Sequence, residues 1–291
     1  HMIGIYWETV ARWMMMRATR DAAALKTPLV LIQAADTSKP PMPVDVAKKL
    51  MNKANPRTTG YMHGMLAVHL GMRMRLLETL DEDKKLVKDA EGEVVHIILH
   101  PDDQADMDAA LADGTDMVYL RHLPDGIWLK MDKYRGSPCK RILQRCSDTL
   151  QPAETDGLIL VEPRTSKVFE FRDYKVMRPG FPLSHANVIA ATACQGRTMR
   201  FGNVIDCGRH ETGSTRKEDD DWWLDLYVML SRATTLDDLL LLRAPPLGFF
   251  QNPGPPKSIK KQLLAFTSRT RKCRAHAQKL AREFGFSLPT E

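Results

Sequence analysis

The sequence predicts an α/β fold in which a parallel sheet carries an inserted small antiparallel, barrel-like unit and is followed by a basic C-terminal helix. Three observations predict it. Between Ala186 and Leu242, two short apolar runs, Val204-Ile205-Asp206-Cys207 and Leu239-Leu240-Leu241-Leu242, alternate with helical segments, as strands of a parallel sheet do. Between Val94 and Glu170, short strand-like runs follow one another with turns between them, the pattern of a small antiparallel barrel. After the Pro-rich break 251–256, apolar residues recur at alternating four- and three-residue steps on an otherwise basic segment, which predicts an amphipathic helix.

Bulk properties agree with a soluble globular chain. The 291 residues permit one large domain or two small ones, and 43% apolar with 27% charged content is ordinary. A net charge of +6 and a pI near 9.0 lean weakly towards a polyanionic partner. Five cysteines, odd in number and without a C-x-x-C pair, point to free thiols in a reducing, intracellular compartment. No apolar run approaches the ~18 residues of a membrane span. His1-Met2 reads as a cloning scar, which points to an excised piece.

Taken in order, residues 3 to 25 are helical in pattern, with Tyr6, Val10, Trp13 and Met14 on one face. The Trp13-Met14-Met15-Met16 run is expected in the core, since Met fills irregular cores. Leu29 to Ala34 reads as a short buried strand, 38–43 as a Pro-rich connector, and Asp45 opens a helix through Val46, Leu50 and Met51. Met72 to Leu77 alternates Arg73 and Arg75 with apolar residues, the period of a half-buried strand. His63 and His69 have no recognisable metal-ligand spacing and are expected to be ordinary histidines; no metal site is predicted. The barrel-like unit is built from Val94–Leu99, Met117–Leu120, Ile127–Met131, Leu158–Val161 and Val168–Phe171, with an acidic loop or short helix over 101–113. Glu218-Asp219-Asp220-Asp221 lacks the alternating ligands of a calcium loop and reads as a charged helix start, with Trp222 and Trp223 buried on that helix.

Two clusters carry chemistry. Cys194-Gln195-Gly196-Arg197-Thr198 sets an amide beside a position of close backbone approach, and Tyr227-Val228-Met229-Leu230-Ser231-Arg232-Ala233 sets an always-charged fork at the end of a helix. In parallel sheets, ligands bind where loops leave the carboxyl ends of strands. A third cluster, Lys130, Lys133, Arg135, Lys140, Arg141 and Arg145 beside Trp128 and Tyr134, suits a single nucleic-acid strand, because phosphates neutralise charge while bases stack; it equally describes a solvated basic face. In the tail helix, Ile259, Leu263, Phe266, Thr270, Cys273, Ala277, Leu280 and Phe284 form an a/d-like seam, weak enough to be expected to pack on its own domain.

These clusters resemble motifs of the superfamily-one DNA helicases of the RecD-like, Pif-type group. That family's second RecA-like domain reads roughly A-x-x-x-T-x-H-K-S-Q-G-x-T, then a strand ending in Asp, then Y-V-A-L-S-R and a Leu-rich strand. Ala186, Gln195, Gly196 and Thr198 fall on the first motif, Val204-Ile205-Asp206 on the strand, and Tyr227, Val228, Leu230, Ser231 and Arg232 on the closing motif, with Met229 for Ala. Upstream, 70–80 and 86–95 resemble two further motifs, so the similarity runs over about residues 5 to 245. Two departures stand out. Thr192-Ala193-Cys194 replaces His-Lys-Ser, and no G-x-x-x-x-G-K-[ST] occurs, so a phosphate-cradling loop and its Mg2+-holding hydroxyl are absent from this sequence.

The resemblance implies a RecA-like second helicase domain over 3–93 and 172–250, an inserted β-rich unit over 94–171, and a linker plus basic helix over 251–291. It implies that Arg232 reaches the γ-phosphate of ATP held by a first RecA-like domain, with Gln195, Gly196, Ser231 and Tyr227 near the nucleotide. Thr198, Trp128, Lys130, Lys133, Lys140 and Arg141 are the expected nucleic-acid contacts. ATP and Mg2+ are cofactors only with that first domain, and none is expected for this chain alone, which should be inactive. Expected partners are single-stranded DNA or RNA, and a protein on the 257–285 helix, with no membrane; in a eukaryote the place would be the nucleus or an organelle. The competing expectation is a degenerate helicase domain kept as a non-catalytic interaction or nucleic-acid-binding module.

Overall fold

In the computed structural model, the described residues are 1–134, 157–197, 199, 202–208, 216–245 and 255–284. The chain divides into two compact units, His1–Ala190 and Ala191–Glu291. The predicted α/β class holds: each unit contains a parallel strand pair, and the first adds an antiparallel sheet.

The first unit opens with a strand, β1 (Met2–Gly4), where the sequence pattern alone extended the helix to residue 3. β1 runs parallel to β15 (Val188–Ala190), the last strand of the unit. The helix α1 spans Trp7–Leu25 and buries Val10, Ala18 and Ala22. Val10 packs with Val188 and Ala190, and Trp13 and Met14 close that cluster, so the aromatic-methionine run is core apart from exposed Met16.

β2 (Leu29–Gln33) is buried at its first four positions, because it lies between β4 (Met65–Val68) and β7 (Met117–Tyr119). It pairs antiparallel with β4 and parallel with β7. The run expected in the barrel over 117–120 therefore belongs to another sheet. β3 (Thr37–Lys39) joins the hairpin β11 (Phe169–Phe171) and β12 (Tyr174–Met177), and α2 (Val44–Met51) buries Val46 and Leu50.

The antiparallel sheet has five strands in the order β14 (Leu183–His185), β5 (Arg73–Leu76), β6 (Glu91–Ile98), β8 (Gly126–Met131) and β9 (Leu158–Val161). It draws on strands from both sides of the expected 94–171 insert, and a boundary at 93/94 would cut β6 in half. The excursion from β6 to β8 carries α3 (Pro101–Asp113), which buries Asp103, Met107 and Ala110 on one face, and β7. Met74, Leu76, Val94, Ile127, Leu129 and Leu183 meet the residues of β2 and β4 in the main core.

Two buried arginines tie distant segments together. Arg178, fully buried, forks onto Asp36 with both bonds at 2.7 Å and also donates to the carbonyls of Leu50 and Met62. Arg75 was expected on a solvent face; it is 2% exposed and donates to Asp89 at 2.5 Å and to the His185 carbonyl. Its neighbour Arg73 forks onto Asp132 at the surface. A carboxylate within reach is what permits Arg75 to be buried.

In the second unit, the short helix α4 (Ala191–Cys194) precedes β16 (Asn203–Asp206), which runs parallel to β17 (Leu239–Leu242). Between them α5 (Arg216–Leu230) buries Trp222, Leu226 and Met229, one face at helical spacing, with Glu218 and Asp219 in its first turn as the sequence predicts. Trp222 donates its indole N–H to the Cys207 carbonyl at 3.3 Å. The last helix, α6 (Lys257–Phe284), is tied to α5 by a hydrogen bond from the Ser258 hydroxyl to Asp220. From Lys260 to Lys279 every residue is exposed. The apolar seam was expected to pack on its own domain; among the described residues Ile259 is half-buried, but the stretch from Leu263 to Ala277 is exposed, with Leu263 and Phe266 at 52% and 69%.

Candidate functional site

Arg232 follows the last turn of α5, where the helix leaves carbonyls without intrahelical partners. Its Nε donates to the Val228 carbonyl at 3.1 Å, its Nη2 to the Ser231 hydroxyl at 2.8 Å, and its Nη1 to the Arg197 carbonyl at 3.3 Å. The backbone closes the same junction: Met199 N–H donates to the Arg232 carbonyl at 2.9 Å, and Met199 bridges Ala233. The two sequence clusters, some 35 residues apart in the chain, are thus one structural junction. Among the described residues no carboxylate pairs with Arg232, so its charge is held by neutral oxygens only.

The turn that the guanidinium reaches is made by Gln195 and Gly196. Gly196 has φ +78°, the left-handed region that a side chain makes costly, and open space surrounds the position a Cβ would take. Gln195 is exposed. Ser231 is exposed, and its hydroxyl donates to the Val228 carbonyl while accepting from Arg232. Tyr227, 56% exposed, stacks on Trp223 with rings 5.5 Å apart and 4° from parallel. It presents an aromatic face one turn before Arg232.

Of the residues that replace His-Lys-Ser, Thr192 is exposed, Ala193 half-buried and Cys194 buried. Cys194 is fully buried and donates its thiol to the Ala191 carbonyl. Burial pushes that thiol up to about 11, against the field of Arg232. Cys207, at the end of β16, is likewise pushed up to about 11 by burial and by Asp206. A thiol this weakly acidic is no nucleophile at neutral pH. Asp206 itself accepts the Gly208 N–H at 2.9 Å and a fork from Arg243. A Cβ at Gly208 would lie 2.0 Å from the Arg243 guanidinium carbon. This clamp shapes the end of the strand and went unseen in the sequence, because Arg243 lies beyond the motif that gave Asp206 its meaning.

The expected strand-facing residues divide. Lys130 and Lys133 are exposed in the first unit. Trp128 was expected to stack on bases; it is 1% exposed, enclosed with Leu158, Val95, Ile98 and Leu160. The reason is local: Ile127 and Leu129 pack into the main core while Trp128, on the opposite face, has a small core of its own, so β8 is covered on both faces. Thr198, Lys140 and Arg141 lie outside the described residues. No helix among the described residues is long and apolar enough to cross a membrane.

No protein-family model and no curated protein matches the sequence. Among solved structures, the chain is similar to the Pif1 helicase of Candida albicans, with 16% identity and a TM-score of 0.48 over 91% of this chain and 49% of that one. It is also similar to Bacteroides Pif1 bound to ssDNA, with 14% identity, a TM-score of 0.49, and 92% and 46% of the two chains covered. Pif1 helicase from Bacteroides in complex with ADP-AlF3 and ssDNA gives 16%, 0.47, 92% and 46%. The chain spans about half the length of the solved structures it matches.

Proposed function

We propose that this chain is the carboxyl-terminal portion of a Pif-type DNA helicase, binding single-stranded nucleic acid and supplying Arg232 to ATP held by a first RecA-like domain. The observation that carries the reading is Arg232 itself: an arginine fork without a neutralising carboxylate among the described residues, joined through the Arg197 carbonyl to the exposed Gln195–Gly196 turn. An uncompensated guanidinium is what a γ-phosphate needs as negative charge develops on the transferring group. Coupling would follow from the shared junction, since any movement of the turn moves the carbonyl that holds Arg232.

Alone, the chain carries no loop for phosphates or Mg2+ in its sequence, and it should bind strands without hydrolysing ATP. Fluorescence anisotropy of a labelled single-stranded oligonucleotide, repeated at rising salt, tests this. Binding should fall steeply with salt, as phosphate contacts require, and fall further in K130A/K133A and K140A/R141A. Absence of binding at low salt would overturn it.

One observation favours a second reading, a non-catalytic interaction module: the exposed apolar residues Leu263, Leu264 and Phe266 on the basic helix α6. On that reading L263S/F266S abolishes capture of a partner protein, whereas strand binding is absent in the parent chain.

A further inference from the structure

We propose that His100, Asp102 and His122 form a binding site for a divalent transition metal, with Zn2+ the best-fitting ion. One donor atom from each of the three lies within 4.8 Å of the donors of the other two. His100 caps α3 and Asp102 sits in its first turn, with His100 Nδ1 3.6 Å from Asp102 Oδ2. Two ligands of one tetrahedral zinc, each ~2.0–2.2 Å from the metal, stand about as far apart, and a metal on His100 Nδ1 would displace the Asp102 N–H that this nitrogen accepts at 3.3 Å. His122 comes from the loop after β7, and its ring stacks on His100 with centroids 4.2 Å apart and planes 25° from parallel, so the two rings must turn out of the stack to aim their in-plane lone pairs at one ion. Two imidazoles and one carboxylate are a borderline-soft set that suits zinc and leaves one position for water.

Asp103 is the supporting group. It is 1% exposed, and its two oxygens accept the backbone N–H groups of Arg121 (3.1 Å) and His122 (2.9 Å). One of those oxygens lies 3.4 Å from His122 Nδ1. A buried carboxylate against a ligating imidazole fixes the ring and raises its basicity. A cation beside a helix amino end opposes the helix dipole. The Asp102 and Asp103 carboxylates offset that, while Arg121 is engaged by Asp106 at 2.6 Å.

The placement gives the site a purpose. His100 ends the run out of β6 and His122 follows β7, so a bound metal would pin together the two ends of the α3–β7 excursion. β7 is the strand that carries this excursion to β2.

The test is Zn2+ titration of the full chain by calorimetry, after chelator treatment and in an H1A background, because the His1 amine and imidazole make an incidental chelator. One equivalent should bind in the micromolar range and raise the thermal midpoint. H122A and D102N should each weaken binding by about tenfold or more, H122A should cancel the midpoint shift, and H276A should change neither. Co2+ should give the visible bands of a tetrahedral N/O site, lost in H122A. No binding at millimolar Zn2+, or unchanged binding in D102N and H122A, would overturn the assignment. D102N replaces an exposed side chain, so it remains informative if H122A folds poorly.

Discussion

Arg178 in the first unit and Arg232 in the second show two ways of holding a permanent charge. Arg178 is sealed from water and neutralised by an Asp36 fork, with carbonyls taking further donors. Arg232 is half-buried, capped by a hydroxyl and two carbonyls, and faces no carboxylate among the described residues. The first arrangement uses up the charge to join segments 142 residues apart; the second positions the charge and leaves it uncancelled. A cation already paired has little to offer an incoming anion, so exposure and pairing, rather than residue type, separate the two roles.

The largest expected effect breaks the first arrangement. Arg178→Met strands Asp36 in a nearly dry site and should lower unfolding free energy by ~3–5 kcal/mol, read by urea denaturation. A loss under about 1 kcal/mol would mean the pair is dispensable. Replacing Asp36 by Leu in the same chain should recover part of the loss, because the uncompensated charge is then gone.

An intermediate effect comes from the histidine beside the other buried arginine. His185 is buried, accepts the Asn187 N–H at 3.0 Å, and its pKa is lowered to about 4 by burial and by the field of Arg17. Its ordinary value is 6.5. The unfolded chain therefore takes up the proton first. Its contribution is fully present above pH 6.5 and is lost as pH falls towards 4, at up to ~1.4 kcal/mol per pH unit. His185→Asn, whose amide oxygen can take the same N–H, should reduce that slope in pH-dependent denaturation without abolishing it, because burial lowers His63 to about 4 as well; an unchanged slope would place the titration elsewhere.

The smallest effect sharpens the comparison. Arg232→Gln removes hydrogen bonds to neutral oxygens and leaves no carboxylate stranded, so stability should fall by only about 1 kcal/mol. A loss matching that of Arg178→Met would make Arg232 a structural residue and remove the observation on which its proposed role rests.

Much of this was legible in the sequence. The apolar runs of β2, β16 and β17 and the α5 helix follow from periodicity, and the resemblance implied that Gln195, Gly196 and Arg232 share a nucleotide site; the hydrogen bonds that join the two clusters at Arg232 came only with the structure. What failed did so for a shared reason: sequence patterns report local period, not the partner opposite. Arg75 alternates as a surface arginine does, yet Asp89 lies across from it and permits burial. Trp128 looks like a stacking platform because its second core is assembled from Leu158 and neighbours on other strands. Conversely, the α6 seam reads as buried, yet its described stretch from Leu263 to Ala277 is exposed. His100 and His122 escaped notice because only the return of β7 brings them together.

The pairing of β1 with β15 bears on how the chain is made. The first strand of the first unit finds its parallel partner only at Val188–Ala190, and β5 waits for β14 at Leu183–His185. During vectorial synthesis nearly the whole unit must leave the ribosome before either edge can close. Long-range pairings of this kind carry the loop-closure cost before any reward. Until then, apolar strands such as Leu29–Gln33 have no complete core to enter, and a nascent chain of this length is a natural client for chaperones.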